Sequence, residues 1–189
     1  MIEPTGGVVT GWTRSSDTVP DAPVPDDLIG TPATSASGGR PAFEYPHVVT
    51  LEETNLLGNV YFAHYLRWQG HCRELFLRRY APKVFEELDR EHALVTTRCS
   101  CEYLAELVAF DPVVVRMRAG EVLPNRLTLL FDYVRTADGR EELVARGEQQ
   151  LAWLSREGER FVPRPVPNEL LEAIDTYIGT AGRRVPVHP

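Results

Sequence analysis

Apolar residues recur with a period of two in four stretches of the second half of the chain. Between 93 and 105, Val95, Thr97, Cys99, Cys101 and Tyr103 fall on one face, with Leu94, Thr96, Arg98 and Ser100 on the other. Residues 112–121 carry Val113-Val114-Val115; residues 125–135 alternate Leu127, Leu129, Phe131 and Tyr133. Residues 141–155 alternate Leu143, Ala145, Gly147, Gln149, Leu151 and Trp153. A period of two is the signature of half-buried strands. Pro124-Asn125 and Asp138-Gly139 punctuate the runs, and the second pair is a strong hairpin signal. An earlier run at 43–50 also reads as a strand, with Pro46 placing that part of it near an edge.

Two stretches break this rhythm. Residues 61–79 are rich in Leu, Arg and aromatics and read as one long helix ending before Pro82. Gly70 lies inside it. A mid-helix glycine costs up to about 1 kcal/mol against alanine, so a close approach of the sheet is expected there. A short helical piece follows at 83–90. A last helix is expected after Pro167, with Asn168 as its N-cap. Strand, long helix, four strands and a terminal helix make an α+β layer arrangement without internal repeats.

Composition sets the domain limits. Residues 1–41 hold six Gly, six Pro and ten Ser or Thr. Such a segment buries too little apolar surface to offset its ordering entropy, so it is expected to be a disordered extension. Trp12 or Leu28-Ile29 are its candidates for a local contact. The expected domain is 42–180, followed by a tail at 181–189. The formal net charge of −7, with no basic stripe, argues against nucleic acid as a partner. No apolar run is long enough for a membrane span, and no secretory signal is visible. Cys72, Cys99 and Cys101 form neither CxxC nor an even set, which suits a reducing cytoplasm.

The candidate chemistry sits where a Gly-bearing turn, Thr54 to Val60, runs into the long helix. A helix start aims backbone N–H groups at developing negative charge. Asn55 either satisfies turn backbone or holds a water or carbonyl. Gly58 relieves the turn backbone, and N–H groups near Gly58 and Asn59 are candidates for an oxyanion hole. Tyr65, Gln69 and Arg73, spaced by four, form one ridge of the helix. Glu52, Glu53 and Glu74 are the nearest carboxylates. Glu74 points about 100° away from Arg73, which favours a surface or ion-pair role. His64 and His71 lack further ligands at metal-binding spacing, and His64 as a base is a minor option. Cys99 and Cys101 read as packing residues. No nucleophile elbow, phosphate loop or dinucleotide fingerprint occurs, so no cofactor or metal is expected.

Two blocks, Thr54 to Arg73 and Leu94 to Leu107, resemble the enediyne-biosynthesis thioesterases, a branch of the 4-hydroxybenzoyl-CoA thioesterase group. The resemblance implies a hot-dog fold, in which a curved antiparallel sheet wraps the long helix. It also implies dimers formed by sheet extension, often followed by homotetramers. It further implies hydrolysis of a polyenyl β-ketoacyl thioester held on the acyl-carrier domain of an iterative enediyne synthase, with possible loss of carbon dioxide from the released acid. Asn55 stands where the wider group places an Asp, and Arg73 and Thr96 lie on the matching blocks. The implied site is catalytic Asn55, Arg73 and Tyr65, with Thr96, Gln69, Leu57 and Phe62 against substrate. Leu57, Phe62, Leu66 and Leu94 line either an elongated acyl tunnel or the core. The competing readings are a general acyl-CoA thioesterase using Glu74 or water, and an acyl-binding module without turnover.

Overall fold

The structure is a computed structural model and describes residues 31–34, 41–88 and 91–179. Seven strands form one antiparallel sheet: β1 (Thr31–Thr34), β2 (Pro41–Val48), β3 (His92–Tyr103), β4 (Pro112–Leu123), β5 (Arg126–Ala137), β6 (Arg140–Glu157) and β7 (Arg160–Pro163). The spatial order is β1-β2-β4-β5-β6-β3, with β7 pairing the far end of β6. Among the described residues a short 3-10 helix (Leu51–Glu53) and three α-helices complete the fold: α1 (Ala63–Tyr80), α2 (Pro82–Glu87) and α3 (Asn168–Tyr177). The sheet curls as a half-barrel, and α1 touches β2, β3, β4 and β6 as well as α3. This is the arrangement the resemblance implies.

The alternating strands bury their inward residues against the helix. Val113, Val115 and Met117 of β4, Leu129, Phe131 and Tyr133 of β5, and Ala145, Leu151 and Trp153 of β6 belong to one core. From α1 come Tyr65, Trp68, Cys72 and Phe76, spaced by three or four so that they share a face. The ring of Phe43 meets that of Phe76 edge-on at 5.6 Å, joining β2 to the end of α1. The hairpin between β5 and β6 turns through Asp138 (φ 53°) and Gly139 (φ 70°), two successive left-handed residues, as the Asp-Gly pair predicts.

Several expectations need correction. Residues 31–34, expected to be disordered, form β1 against β2; the rest of the extension, including Trp12 and Leu28-Ile29, and the tail at 181–189 lie outside the described residues. β1 reaches only to Glu44, so Pro46 occupies a stretch of β2 paired on one side, where its missing N–H is tolerated. Pro167, not Asn168, is the N-cap of α3, and no side chain caps that helix. β7 had no periodic signal, being four residues long.

Gly70 is also not a close-approach point: a Cβ there would meet nothing within 4 Å. The tight contact lies across the sheet at Gly147, where a Cβ would stand 2.1 Å from Gln69 Nε2. Finally, β3 carries a bulge between Thr96 and Arg98. The inserted residue resets the alternation, so Leu94 and Thr96 face the helix before it, and Cys101 and Tyr103 face the helix after it.

Candidate active site

The turn ahead of α1 closes on itself. Asn55 N–H donates to Asn59 O at 2.9 Å, Gly58 N–H donates to Asn55 O at 2.9 Å, and Thr54 bridges Val60. Asn55 Oδ1 accepts the Leu57 N–H at 2.8 Å, the short local bond that makes Asn a turn residue. Gly58 sits at φ +84°, in the left-handed region that favours glycine. The oxyanion expectation therefore changes: the Gly58 N–H is spent inside the turn. Asn59 Nδ2 donates to Glu106 at 3.1 Å, which ties the turn to the chain after β3. Directly behind, α1 has Phe62 as its N-cap, with no side-chain cap hydrogen bond, and the His64 N–H donates to Tyr61 O at 3.0 Å. A helix start without such a cap leaves N–H donors for another acceptor.

The ridge of α1 faces a polar seam between β3 and β6. Arg73 Nη1 donates to Thr96 Oγ1 at 3.0 Å and to Gln149 Oε1 at 3.5 Å. Its carboxylate neighbour is Glu74, exposed and 3.7 Å away. Burial lowers the guanidinium pKa, with Glu74 opposing; a guanidinium still stays charged at neutral pH. One turn earlier, Gln69 is 0% exposed and its Nε2 donates to Ser100 O at 3.1 Å. Gln69 Oε1 has no partner among the described residues. One turn earlier again, the Tyr65 ring packs against Trp68, Tyr103 and Tyr133. Burial raises its phenol well above the ordinary value, and the same cause raises Tyr133. Tyr103 is pushed up to about 12 and Cys101 to about 11, again chiefly by burial. The hydroxyls and thiol along this seam are therefore proton-bearing at neutral pH.

A third group centres on one of the three carboxylates nearest the turn, to which the sequence assigns no role. Glu53 is 6% exposed, and both of its oxygens are filled. Trp68 Nε1 donates to Oε1 at 2.7 Å, and His47 Nε2 lies 2.9 Å from Oε2 and 3.1 Å from Oε1. Thr50 supplies its N–H at 2.8 Å and its hydroxyl at 3.1 Å to Oε2. Burial alone would raise the Glu53 pKa; the Thr50, His47 and Trp68 hydrogen bonds outweigh it and hold the carboxyl below its ordinary value. The one advance signal was an acid next to the turn, since its partners come from β2, from Thr50 ahead of the turn, and from α1.

Some candidates do not converge. Among the described residues, no hydrogen bond or ion pair joins Asn55 to Tyr65 or Arg73. Leu57 is 86% exposed and Phe62 is 53% exposed, so within one chain neither lines a closed tunnel. Leu66 and Leu94 are half-buried, the latter against the core. The inward strand faces carry the packed core. A depression of about 520 Å³ lies instead on the sheet's outer face, between Ser100, Glu102, Arg118, Asp132, Arg146 and Glu148. Charged side chains stand around it beside Leu130, and it includes neither Asn55 nor Arg73. His64 Nδ1 is buried without a partner among the described residues, His71 faces the Tyr45 ring, and Arg98 is exposed. Cys99 is exposed, which corrects its assignment to packing.

Comparison with known proteins closes the question of family. Residues 49–174 match the model of the thioesterase-like superfamily. The chain is similar to the structure described as the Dynemicin thioesterase, solved in a study of induced fit and allostery upon polyene binding. The two are 46% identical with a TM-score of 0.69, over 77% of this chain and 99% of that one. A thioesterase-superfamily protein from Jannaschia sp. CCS1 is 25% identical, with a TM-score of 0.68 over 82% of this chain and 98% of the other. A 1,4-dihydroxy-2-naphthoyl-CoA thioesterase from Synechocystis shares the fold at 19% identity, with a TM-score of 0.61 over 71% and 96%. No curated protein matches. With both turn and ridge inside the matched span, the chain belongs to the thioesterase-like superfamily, as a thioester hydrolase built on the hot-dog fold.

Proposed function

We propose that this enzyme hydrolyses a polyenyl β-ketoacyl thioester presented on the acyl-carrier domain of an iterative enediyne polyketide synthase, in the reducing cytoplasm. The observation that carries this reading is Arg73: a largely enclosed cation, held by the neutral oxygens of Thr96 and Gln149, with an exposed Glu74 as its acidic neighbour. Such a charge is available to a developing oxyanion, and a site shielded from water makes it count for more. The 46% identity to a thioesterase studied with bound polyene supports the substrate class.

In this scheme Arg73 polarises the thioester carbonyl, helped by N–H groups at the start of α1 rather than by Gly58. Asn55 keeps Oδ1 in its turn and uses Nδ2 to position water. Water adds to the carbonyl, the carbon–sulfur bond breaks, and the proton water loses ends on the departing thiolate. A thiolate is a far better leaving group than an alkoxide, so positioning and electrostatics suffice without an ionised acid. Tyr65, kept protonated by burial, acts only as a donor or a wall. The freed β-keto acid then loses carbon dioxide to give a ketone.

Arg73→Met tests the proposal by removing charge while keeping bulk. Hydrolysis of a carrier-bound polyenyl β-ketoacyl thioester should fall by about 10²–10³, the usual loss when an oxyanion donor is removed. Unchanged turnover overturns it. Wild-type enzyme preferring coenzyme A thioesters over carrier thioesters would favour the general acyl-CoA reading, and product binding without turnover the acyl-binding module.

A further inference from the structure

Among the described residues no hydrogen bond or ion pair joins Asn55 to Arg73, yet the scheme above needs both. Glu53 supplies the connection. Its backbone closes the base of the turn: Glu53 O accepts the Tyr61 N–H at 2.9 Å, just outside the Thr54–Val60 bridge. Its side chain leaves the turn and reaches α1, where Trp68 Nε1 donates to it at 2.7 Å. Trp68 is wholly buried and five residues before Arg73. The same carboxylate takes His47 from β2 and the Thr50 N–H, so the turn is fixed to sheet and helix together.

Glu53 cannot itself be the base. A carboxylate offers about four lone-pair sites, and four donors occupy them: Trp68 Nε1, the Thr50 N–H and hydroxyl, and His47 Nε2, which is shared between the two oxygens. We propose that Glu53 is a positioning residue for hydrolysis: it clamps the segment leading into the Asn55 turn to β2 and α1 and so fixes where Asn55 stands. This rests on the site reading given above. Clamping has a definite kinetic consequence. A misplacement of about 1 Å costs on the order of 10²-fold in rate, while apolar binding of an acyl chain is little affected.

The test compares Glu53→Gln, Asn55→Ala, the double variant and Trp68→Phe, with a β-ketoacyl N-acetylcysteamine thioester as probe. Glu53→Gln should lower kcat by about 10–10²-fold with KM within about threefold. Trp68→Phe, which keeps a ring and loses the N–H, should lower kcat in the same sense by a smaller factor. In the Asn55→Ala background, Glu53→Gln should add little, because the group it positions is gone. Wild-type kcat in folded Glu53→Gln, or the same fold-loss with and without Asn55, overturns the inference. If Glu53→Gln does not fold, Trp68→Phe decides by the same criteria. Full activity of Asn55→Ala sinks the site reading, and the inference with it; an inactive Asn55→Ala beside a normal Glu53→Gln sinks the inference alone.

Discussion

Among the described residues Glu53 is the buried carboxylate, and its charge state is linked to folding. Its folded pKa lies below its ordinary value of 4.5. The native state thus binds a proton less readily than the unfolded chain does. The stabilisation is fully present above pH 4.5 and is lost as pH falls through the lower folded value. Protonation would force one oxygen to become a donor among donors from Thr50, His47 and Trp68, which is why the loss should be steep. Denaturant midpoints measured from pH 7 down to pH 3 should fall for the wild type. Glu53→Gln should begin lower at pH 7 and show a shallower slope over the acid limb. Parallel slopes for the two proteins would mean the carboxyl does not carry this linkage. Arg73 is the opposite case, since no accessible pH removes its charge. Its contribution must be probed by substitution alone.

At the level of elements, two glycines trade the roles their surroundings suggest. Gly70 interrupts α1, but nothing lies within 4 Å of the position a methyl group would take. Gly70→Ala should therefore gain about 0.5–1 kcal/mol from helix propensity alone. Gly147, in the middle of β6, has Gln69 Nε2 pressed over it, and Gly147→Ala should cost about 1–3 kcal/mol by overpacking. Thermal melts of both variants check the pair. A destabilised Gly70→Ala would show that another surface covers that face of α1. The contrast also marks what the sequence discloses. The ridge Tyr65, Gln69, Arg73 follows from helical spacing, and the long strands follow from alternation, because both depend on neighbours along the chain. The side chain that fills the space over Gly147 comes from an element 78 positions earlier, which no local period records. The bulge in β3 is hidden for a related reason: one extra residue leaves the composition unchanged but flips Thr96 toward Arg73. Glu53 is hidden too, because its partners His47 and Trp68 are brought together only by the packing of β2 on α1.

The whole molecule presents two unlike sheet edges. On one side, β1 is four residues long and contains Pro32, while β2 begins at Pro41 and contains Pro46. Proline and shortness are the usual means of discouraging further pairing. On the other side, β3 runs for twelve residues without a proline and has a neighbour, β6, on one flank only. Most of its residues from Val95 to Tyr103 are exposed in the single chain. Exposed apolar groups collect beyond its end as well: Leu104, Val108 and Phe110, with Asn59 bridging Val108 to place the turn of Leu56 and Leu57 alongside. Phe110 is held at φ 71°, a conformation that costs an L-residue about 1–2 kcal/mol and leaves its ring 69% exposed. A patch of this kind is expected to be covered. We propose that β3 pairs with β3 of a second copy, extending the sheet, and that such dimers associate further into a homotetramer. Light scattering at micromolar concentration should return two or four times 21.3 kDa. Amides of residues 92–103 should exchange with deuterium slowly, and faster as dilution breaks the assembly, while those of β5, paired on both flanks, stay protected. A monomeric mass with rapid exchange along β3 at every concentration would leave that edge free. Thr96 would then stand on an edge open to water, and the guanidinium of Arg73 behind it would lose part of its leverage on an oxyanion.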